Sequence, residues 1–411
     1  MAQRIDKQQV LIVGGGYAGA LAAVRLAGKA KDRAAVTLLE PRTELVQRLR
    51  LHQLATGQKV RAYDIAALTG KRVTNVRGTA VAIDPGRGRA AVAQDGRLTE
   101  IPFDQVLLAA GSGDDLDSVP GLRENTHTLG DPPAAERLWG ALRELTEGSR
   151  VVVCGGGFTG IEAASEIACR RPELRVSLLT AGRLGAPFSE RGREQLEKRL
   201  AKRGIEPIEG ERVGAVEPGR VTLVGGTDLE ADLVVWCGGF AAPPLIRDSG
   251  LPVDSRGLLA VDGSLRSVGH ANVIGAGDVA AIPDFPGGAR YRMTCQAGMP
   301  SGAHAADTVL AAIKGEDPKP FDFGYIHIPL SLGRGDGLIQ FVDRADRPKD
   351  KVLVGRRAAV YKEIVTRSPA PSIAWERRLP GMLRWPSGGK ASAAQAETAT
   401  GPAWADGADR D

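Results

Sequence analysis

Val10-Leu-Ile-Val-Gly-Gly-Gly-Tyr-Ala-Gly19 returns further along the chain as Val151-Val-Val-Cys-Gly-Gly-Gly-Phe-Thr-Gly160. Each copy is a short unbroken apolar run that closes on glycines and passes into a helical pattern. This is how a strand buried on both faces reads when it turns tightly into a helix. Two βαβ units of one design are therefore predicted. In the first, Gly14 permits the turn, Gly16 lets backbone N–H groups approach a pyrophosphate, and Gly19 lets the helix lie against the strand. The next strand, 34–39, ends in Glu40, about 20 residues past the last glycine, where a carboxylate can accept hydrogen bonds from ribose hydroxyls. In the second unit Gly155, Gly157 and Gly160 precede a helix with Glu162 and Glu166. Its next strand, 174–179, ends in Thr180 rather than an acid.

Between the units, Asp84-Pro-Gly86 reads as a turn joining strands 78–83 and 89–93, and Gln94-Asp-Gly-Arg97 as a second turn. Residues 103–112 and 232–239 are further buried strands closing on glycine. Asn272-Val-Ile-Gly-Ala-Gly-Asp278 sets Asp278 at the carboxyl end of another, where open α/β sheets bind ligands. Capping of the following helix is the competing role for Asp278. An alanine-rich helix spans 296–313. Short strands follow, including 337–342, and then a helical stretch at 355–367.

A chain of 411 residues, with 43% apolar residues, 53 glycines and 4% aromatics, fits a multidomain α/β protein. Cys154, Cys169, Cys237 and Cys295 show no CxxC or zinc-ligand spacing, so neither disulfide stapling nor a metal is expected. No apolar run is long enough for a membrane helix, and 10–13 is too short for a signal-peptide core. A cytoplasmic location is the expectation. The net charge of +5 brings no recognition motif with it, so nucleic acid is not an expected partner.

On these residues the chain resembles the two-dinucleotide-binding-domain flavoproteins, the FAD-dependent pyridine nucleotide oxidoreductases. Within them it is similar to the type II NADH dehydrogenase branch. The carriers are the first fingerprint with Glu40, the strand ending Ala109-Ala110-Gly111, the second fingerprint with Ile161-Glu162, and the segment 272–278. Arg50-Leu-His-Gln-Leu-Ala-Thr-Gly57 looks like the branch's Leu-Leu-Tyr-Gln-x-Ala-Thr-Gly, with His52 at the tyrosine. Residues 41–60 hold no cysteine, which excludes the disulfide-reductase chemistry of the wider superfamily. The quinone motif Ala-Gln-x-Ala-x-x-Gln is matched only at Gln296, with Gly298 and Ser301 departing from it, which puts a quinone acceptor in doubt.

The resemblance implies an α/β fold of two Rossmann-like three-layer domains, with the FAD domain split around an inserted NAD(P) domain, plus a small C-terminal α+β region. Expected boundaries are 1–115 and 241–314 for FAD, 116–240 for NAD(P)H, and 315–385 for an acceptor site or interface. A tail without apolar periodicity, 386–411, is expected to be disordered. It further implies hydride transfer from NADH or NADPH to FAD, then to a small acceptor such as a quinone. The alternatives are a ferredoxin-reductase-like or biosynthetic flavin enzyme, and a redox-sensing flavoprotein of the apoptosis-inducing-factor type.

The catalytic candidates are Glu162, which resembles the family's nicotinamide-side glutamate, and Gln296. A solvated helix face is the competing role for Glu162, and Glu166 is read as structural. Besides the glycines, Glu40 and Asp278, expected cofactor contacts include Gly15, Tyr17, Ala18, Pro41, Arg42 and Arg50. Ala80, Val81, Ala110, Gly111, Gly239 and Gly277 join them, with Phe158, Thr159, Thr180 and Arg183. Arg48 and Arg50 could stabilise an anionic reduced flavin, or one of them could belong to a solvated face. Absence of an acid at Thr180 with Arg183 nearby suits NADPH at least as well as NADH. Residues 361–385 combine Trp375 and Trp385 with Lys362, Arg367, Arg377, Arg378 and Arg384, a composition compatible with weak peripheral membrane attachment. A homodimer is compatible with the sequence and not specified by it.

Overall fold

The computed structural model describes residues 7–283 and 291–388. Strand β1 (Gln8–Val13) enters helix α1 (Tyr17–Ala30) through the first glycine loop and is followed by β2 (Ala34–Glu40). A single helical turn, α2 (Leu51–Leu54), then leads towards β3 (Val73–Arg77). After an antiparallel excursion of three strands, Thr79–Asp84, Arg89–Gln94 and Arg97–Pro102, β4 (Gln105–Leu108) returns beside β1. The second unit repeats the design with β5 (Arg150–Cys154), α3 (Phe158–Arg170), β6 (Arg175–Thr180), β7 (Glu206–Glu209) and β8 (Leu233–Trp236).

Strand β9 (Val273–Gly275) then rejoins the first sheet, whose order is β9-β4-β1-β2-β3, parallel throughout. The second sheet, also parallel, runs β7-β6-β5-β8 and ends on the short strand His127–Thr128. In both sheets the order reverses at the strand that carries the glycine loop. A ligand crevice belongs at the carboxyl end of that strand.

The remaining elements are helix α4 (Cys295–Lys314), an antiparallel sheet of β10 (His327–Ser331), β11 (Gly337–Val342) and β12 (Pro348–Val354), and helices α5 (Gly355–Arg367) and α6 (Pro369–Arg378). Each parallel sheet has its own apolar core. The C-terminal sheet adds Ile328, Leu330 and Leu338 to the core of the second unit. Helix α6 is fixed to α1 by a buried ion pair, Arg25 Nε to Glu376 Oε1 at 2.6 Å.

Two sequence expectations change here. Residues 386–388 are held in place, since Gly324 N–H donates to the Pro386 carbonyl at 2.7 Å and Gly388 N–H to Asp322 Oδ1 at 2.6 Å. The rest of the expected disordered tail lies outside the described residues. Trp385, grouped with a membrane-facing set, is instead half-buried against both cores with Arg25 over its ring.

Candidate active site

A long cleft enclosing about 2240 Å³ of empty space, part of it open to solvent, runs between the two parallel sheets and the C-terminal region. Three helix N-termini open on it. Those of α1, α3 and α4 begin at Gly16, Gly157 and Thr294, and none has a side-chain cap. The first N–H groups of a helix have no partner within it, and together with the helix dipole they form an anion site.

The glycines divide into two roles. Gly19 and Gly160 are packing positions, because a Cβ on them would stand 1.9 Å from the Gly14 carbonyl oxygen and 1.8 Å from that of Gly155. Gly14 and Gly155 take the positive φ that the turn needs, at 102° and 124°. A Cβ on Gly16 or Gly157 would meet nothing within 4 Å, so these two face the open cleft. This is a cradle that a side chain would fill, as a pyrophosphate site requires.

Glu40 stands at one end. Its Oε2 accepts from Gly15 N–H at 2.7 Å and its Oε1 from Arg42 N–H at 3.1 Å, which fixes the carboxylate at the cleft's edge. Thr180 holds the matching place beneath Gly156, where a Cβ would stand 2.5 Å from its Oγ1. At the middle of the cleft Asp278 is held by the Ser112 hydroxyl at 3.3 Å. Burial raises its pKa, against the pull of Arg48 and Ser112. Since α4 begins at Thr294, Asp278 does not cap that helix. The donor set therefore fits FAD along α1 and a second dinucleotide along α3.

At the meeting point of the two halves lies a buried polar cluster. Glu162 Oε1 accepts from Lys362 Nζ and from Ser331 N–H, each at 2.9 Å, while its Oε2 lies 3.4 Å from His52 Nδ1. Burial alone would raise the Glu162 pKa, but Lys362, His52 and the Ser331 N–H reverse this and hold it below the ordinary glutamate range. Desolvation lowers the pKa of His52, against the pull of Glu162. His52 Nε2 is buried without a protein partner. Cys295 and Gln296 line the same wall, and burial pushes the Cys295 thiol up to about 12, which makes it inert as a nucleophile at neutral pH.

Gly14, Gly15, Gly16, Tyr17, Ala18, Glu40, Arg42, Ala110, Gly111, Gly157, Phe158, Thr159, Glu162, Gly239, Gly277, Asp278 and Gln296 all line the cleft. Other expected contacts stand apart from it. Ala80 pairs with Val92 in the antiparallel excursion, and Val81 is exposed there. The exposed Pro41 turns its carbonyl to Arg77. Arg50 is drawn away by Glu363, 2.9 Å distant, leaving Arg48 as the one of that pair that lines the cleft. Thr180 and Arg183 do not line it, and Arg183 is exposed in the loop after β6.

Glu162 is buried rather than on a solvated face. Lys362, read as a membrane-facing cation, points inward to it. Ser301 lies wholly buried, accepting from Gly277 N–H at 3.0 Å and donating to the Gly298 carbonyl at 2.9 Å. Its departure from the quinone motif thus concerns packing behind the cleft. Sequence reasoning missed Lys362, Ser331 and the contribution of His52. The single available signal was His52 at a position where the resembled segment has a phenol.

No helix among the described residues is long and apolar enough to cross a membrane. An NADH dehydrogenase-like protein of Mycobacterium tuberculosis is 32% identical over 326 residues, covering 74% of this chain and 80% of that protein. The demethylphylloquinone reductase NdbB of Synechocystis is 26% identical over 397 residues, covering 92% and 96%. Among solved structures, NDH2 of Plasmodium falciparum in complex with NADH superimposes with a TM-score of 0.76 at 14% identity, covering 91% of this chain and 99% of that one. The sulfide:quinone oxidoreductase of Aquifex aeolicus gives 0.74 at 20% identity, covering 90% and 91%, and these two likenesses concern the fold. The molecule is an oxidoreductase whose cofactors are FAD and a nicotinamide dinucleotide. Over residues 8–307 it matches the pyridine nucleotide-disulphide oxidoreductase model, and the chain belongs to that family.

Proposed function

We propose that the protein passes two electrons from NADH or NADPH through FAD to a quinone. FAD would lie along α1 with its ribose on Glu40, and the nicotinamide dinucleotide along α3. The observation that carries this reading is the convergence of three uncapped helix N-termini on one cleft that has the Glu162–Lys362–His52 cluster at its centre. When bound, FAD supplies the hydride acceptor and separates two-electron donor from acceptor. The chain's own work is to hold the rings in register, keep water out and maintain a fixed charge pattern. Glu162, clamped by Lys362, cannot swing, and Gln296 offers an amide on the same cleft. The names of the curated relatives, among them type II NADH:quinone oxidoreductases of Staphylococcus, favour a quinone over a protein acceptor.

The quinone would reach the site from a lipid surface. Val360, Ile364, Trp375, Leu379 and Met382 are exposed on the C-terminal helices and the segment after them, interleaved with exposed Arg356, Arg357, Arg378 and Arg384. Exposed apolar residues interleaved with cations suit weak attachment to anionic bilayers, each basic residue adding about 1 kcal/mol. Salt-sensitive flotation with anionic liposomes is the expected result. Purified protein is expected to be yellow and to reduce a soluble quinone with NADH or NADPH. Flavin that NAD(P)H reduces, yet no quinone reoxidises, would refute the acceptor while keeping the donor.

A further inference from the structure

Arg292, just ahead of α4, lines the cleft beside Gln296. Its guanidinium is held from several sides. Nε stands 2.7 Å from Asp346 Oδ2, and Nη2 donates to Asp346 Oδ1 at 2.9 Å, with both side chains largely buried. Asp346 belongs to the turn between β11 and β12, so the C-terminal sheet supplies the counter-charge. Cζ stands over the Tyr325 ring, 4.0 Å from its centroid, and the Arg292 N–H donates to the Tyr325 hydroxyl at 2.7 Å. Phe158, at the start of α3, has the same Cζ 5.7 Å from its ring centroid. A planar cation gripped by a carboxylate at two points and by an aromatic face keeps one orientation.

The remaining reach of Nη2 is to Gln296 Oε1 and to the His327 carbonyl, each at 3.4 Å. These contacts are long, and what matters in them is polarity rather than strength. A guanidinium carries donors only, whereas an amide presents an acceptor oxygen at one corner and a donor NH2 at the other. Turned over, the Gln296 amide would set its NH2 against the guanidinium, donor against donor. Its oxygen therefore faces Arg292, and its nitrogen is left for the cleft. Arg292 is the one hydrogen-bond partner of the Gln296 side chain among the described residues, and Gln296 is only half-buried.

We propose that Arg292 is the positioning residue of the acceptor subsite, fixing the Gln296 amide so that an N–H, and not a carbonyl oxygen, meets the electron acceptor. This deepens the quinone reading and rests on it. The chemistry selected by such a subsite is a carbonyl oxygen, which accepts a hydrogen bond in the oxidised quinone and gathers negative charge as electrons arrive. A ligand that offers only donors at that point finds no partner.

The test reads binding apart from turnover. Equilibrium dialysis of menadione against the oxidised, FAD-loaded protein measures the subsite with no electron transfer. Arg292→Lys keeps a cation for Asp346, but one ammonium on a flexible stem does not hold the carboxylate and orient the amide together. Its menadione Kd should rise about three- to tenfold, the size of one lost hydrogen bond. Gln296→Glu keeps an oxygen for Arg292 and turns a second oxygen on the cleft, and should raise Kd at least about tenfold. In turnover the KM for menadione should follow, while the KM for the nucleotide stays within about twofold. The Gln296 side-chain amide signal in the NMR spectrum of the same protein, assigned by its loss in Gln296→Glu, should move in Arg292→Lys. Wild-type menadione affinity in either variant, or an amide signal unmoved by Arg292→Lys, would overturn the proposal. Wild-type protein that reduces ferricyanide with NAD(P)H yet neither binds nor reduces menadione, while the amide signal moves in Arg292→Lys, would refute the quinone reading and sustain Arg292 as the residue that sets the amide.

Discussion

Lys362 Nζ on α5 stands 2.9 Å from Glu162 Oε1 on α3, both side chains almost sealed from solvent, so the C-terminal region supplies the counter-charge of a carboxylate in the second Rossmann unit. Removing one member of such a pair leaves a buried charge uncompensated, which costs about 3–5 kcal/mol. Lys362→Met should therefore lower stability by about that amount and lower kcat/KM for the nucleotide. Glu162→Gln, which keeps the shape but leaves the Lys362 ammonium uncompensated, should cost a comparable amount in urea unfolding. Negligible losses in both variants would mean that the pair carries no net charge burden.

The pH dependence follows from the same cluster. Glu162 has a depressed native pKa, so its stabilisation is complete above the unfolded value of about 4.3 and is lost as pH falls through the lower native value. His52 is also depressed. Below its unfolded value of about 6.5 the unfolded chain binds a proton that the native state does not, and stability falls with acidification. The midpoint of thermal unfolding should drop between pH 7 and 5, and His52→Gln should remove part of that drop. An unaltered slope in the variant would show that His52 takes up protons alike in the folded and unfolded chain.

The two kinds of glycine make opposite predictions. Gly16 faces open space, so Gly16→Val should fold with a wild-type circular dichroism spectrum and carry little flavin. Gly19→Ala meets the Gly14 carbonyl at 1.9 Å and should lose stability whether or not flavin is added. A Gly16→Val protein with full flavin absorbance would place FAD elsewhere.

What was legible in the sequence is what a local pattern encodes. Val10–Val13 and Val151–Cys154 read as doubly buried strands because nothing polar interrupts them, and Glu40 was found because its distance from Gly19 is set by one helix and one strand. The helix 355–367 and strand 337–342 were also legible, and both fall at Gly355–Arg367 and Gly337–Val342. Lys362 was not. A lysine between Tyr361 and Glu363 looks like any surface cation until tertiary packing turns it onto Glu162. Ala80 and Val81 stand off the cleft: the strand was legible, and Ala80 pairs with Val92 across it.

Nucleotide preference turns on Thr180 and Arg183. Thr180 sits under Gly156 as Glu40 sits under Gly15, so the position that holds a ribose-binding acid in the first unit is uncharged in the second. A 2′-phosphate would meet no carboxylate from Thr180, though Glu209 lies close by, fixed to Leu184 N–H at 2.5 Å. Arg183 projects from the loop between them and is exposed, free to turn onto an added phosphate. A guanidinium bound to phosphate contributes roughly 1.5–3 kcal/mol, or one to two decades in specificity at about 1.4 kcal/mol per decade. We therefore expect the wild-type kcat/KM for NADPH to equal or exceed that for NADH, and Arg183→Ala to reduce the NADPH value about tenfold or more with little change for NADH. A tenfold wild-type preference for NADH, unmoved by Arg183→Ala, would show that Glu209 and not Arg183 sets the field at this end of the cleft.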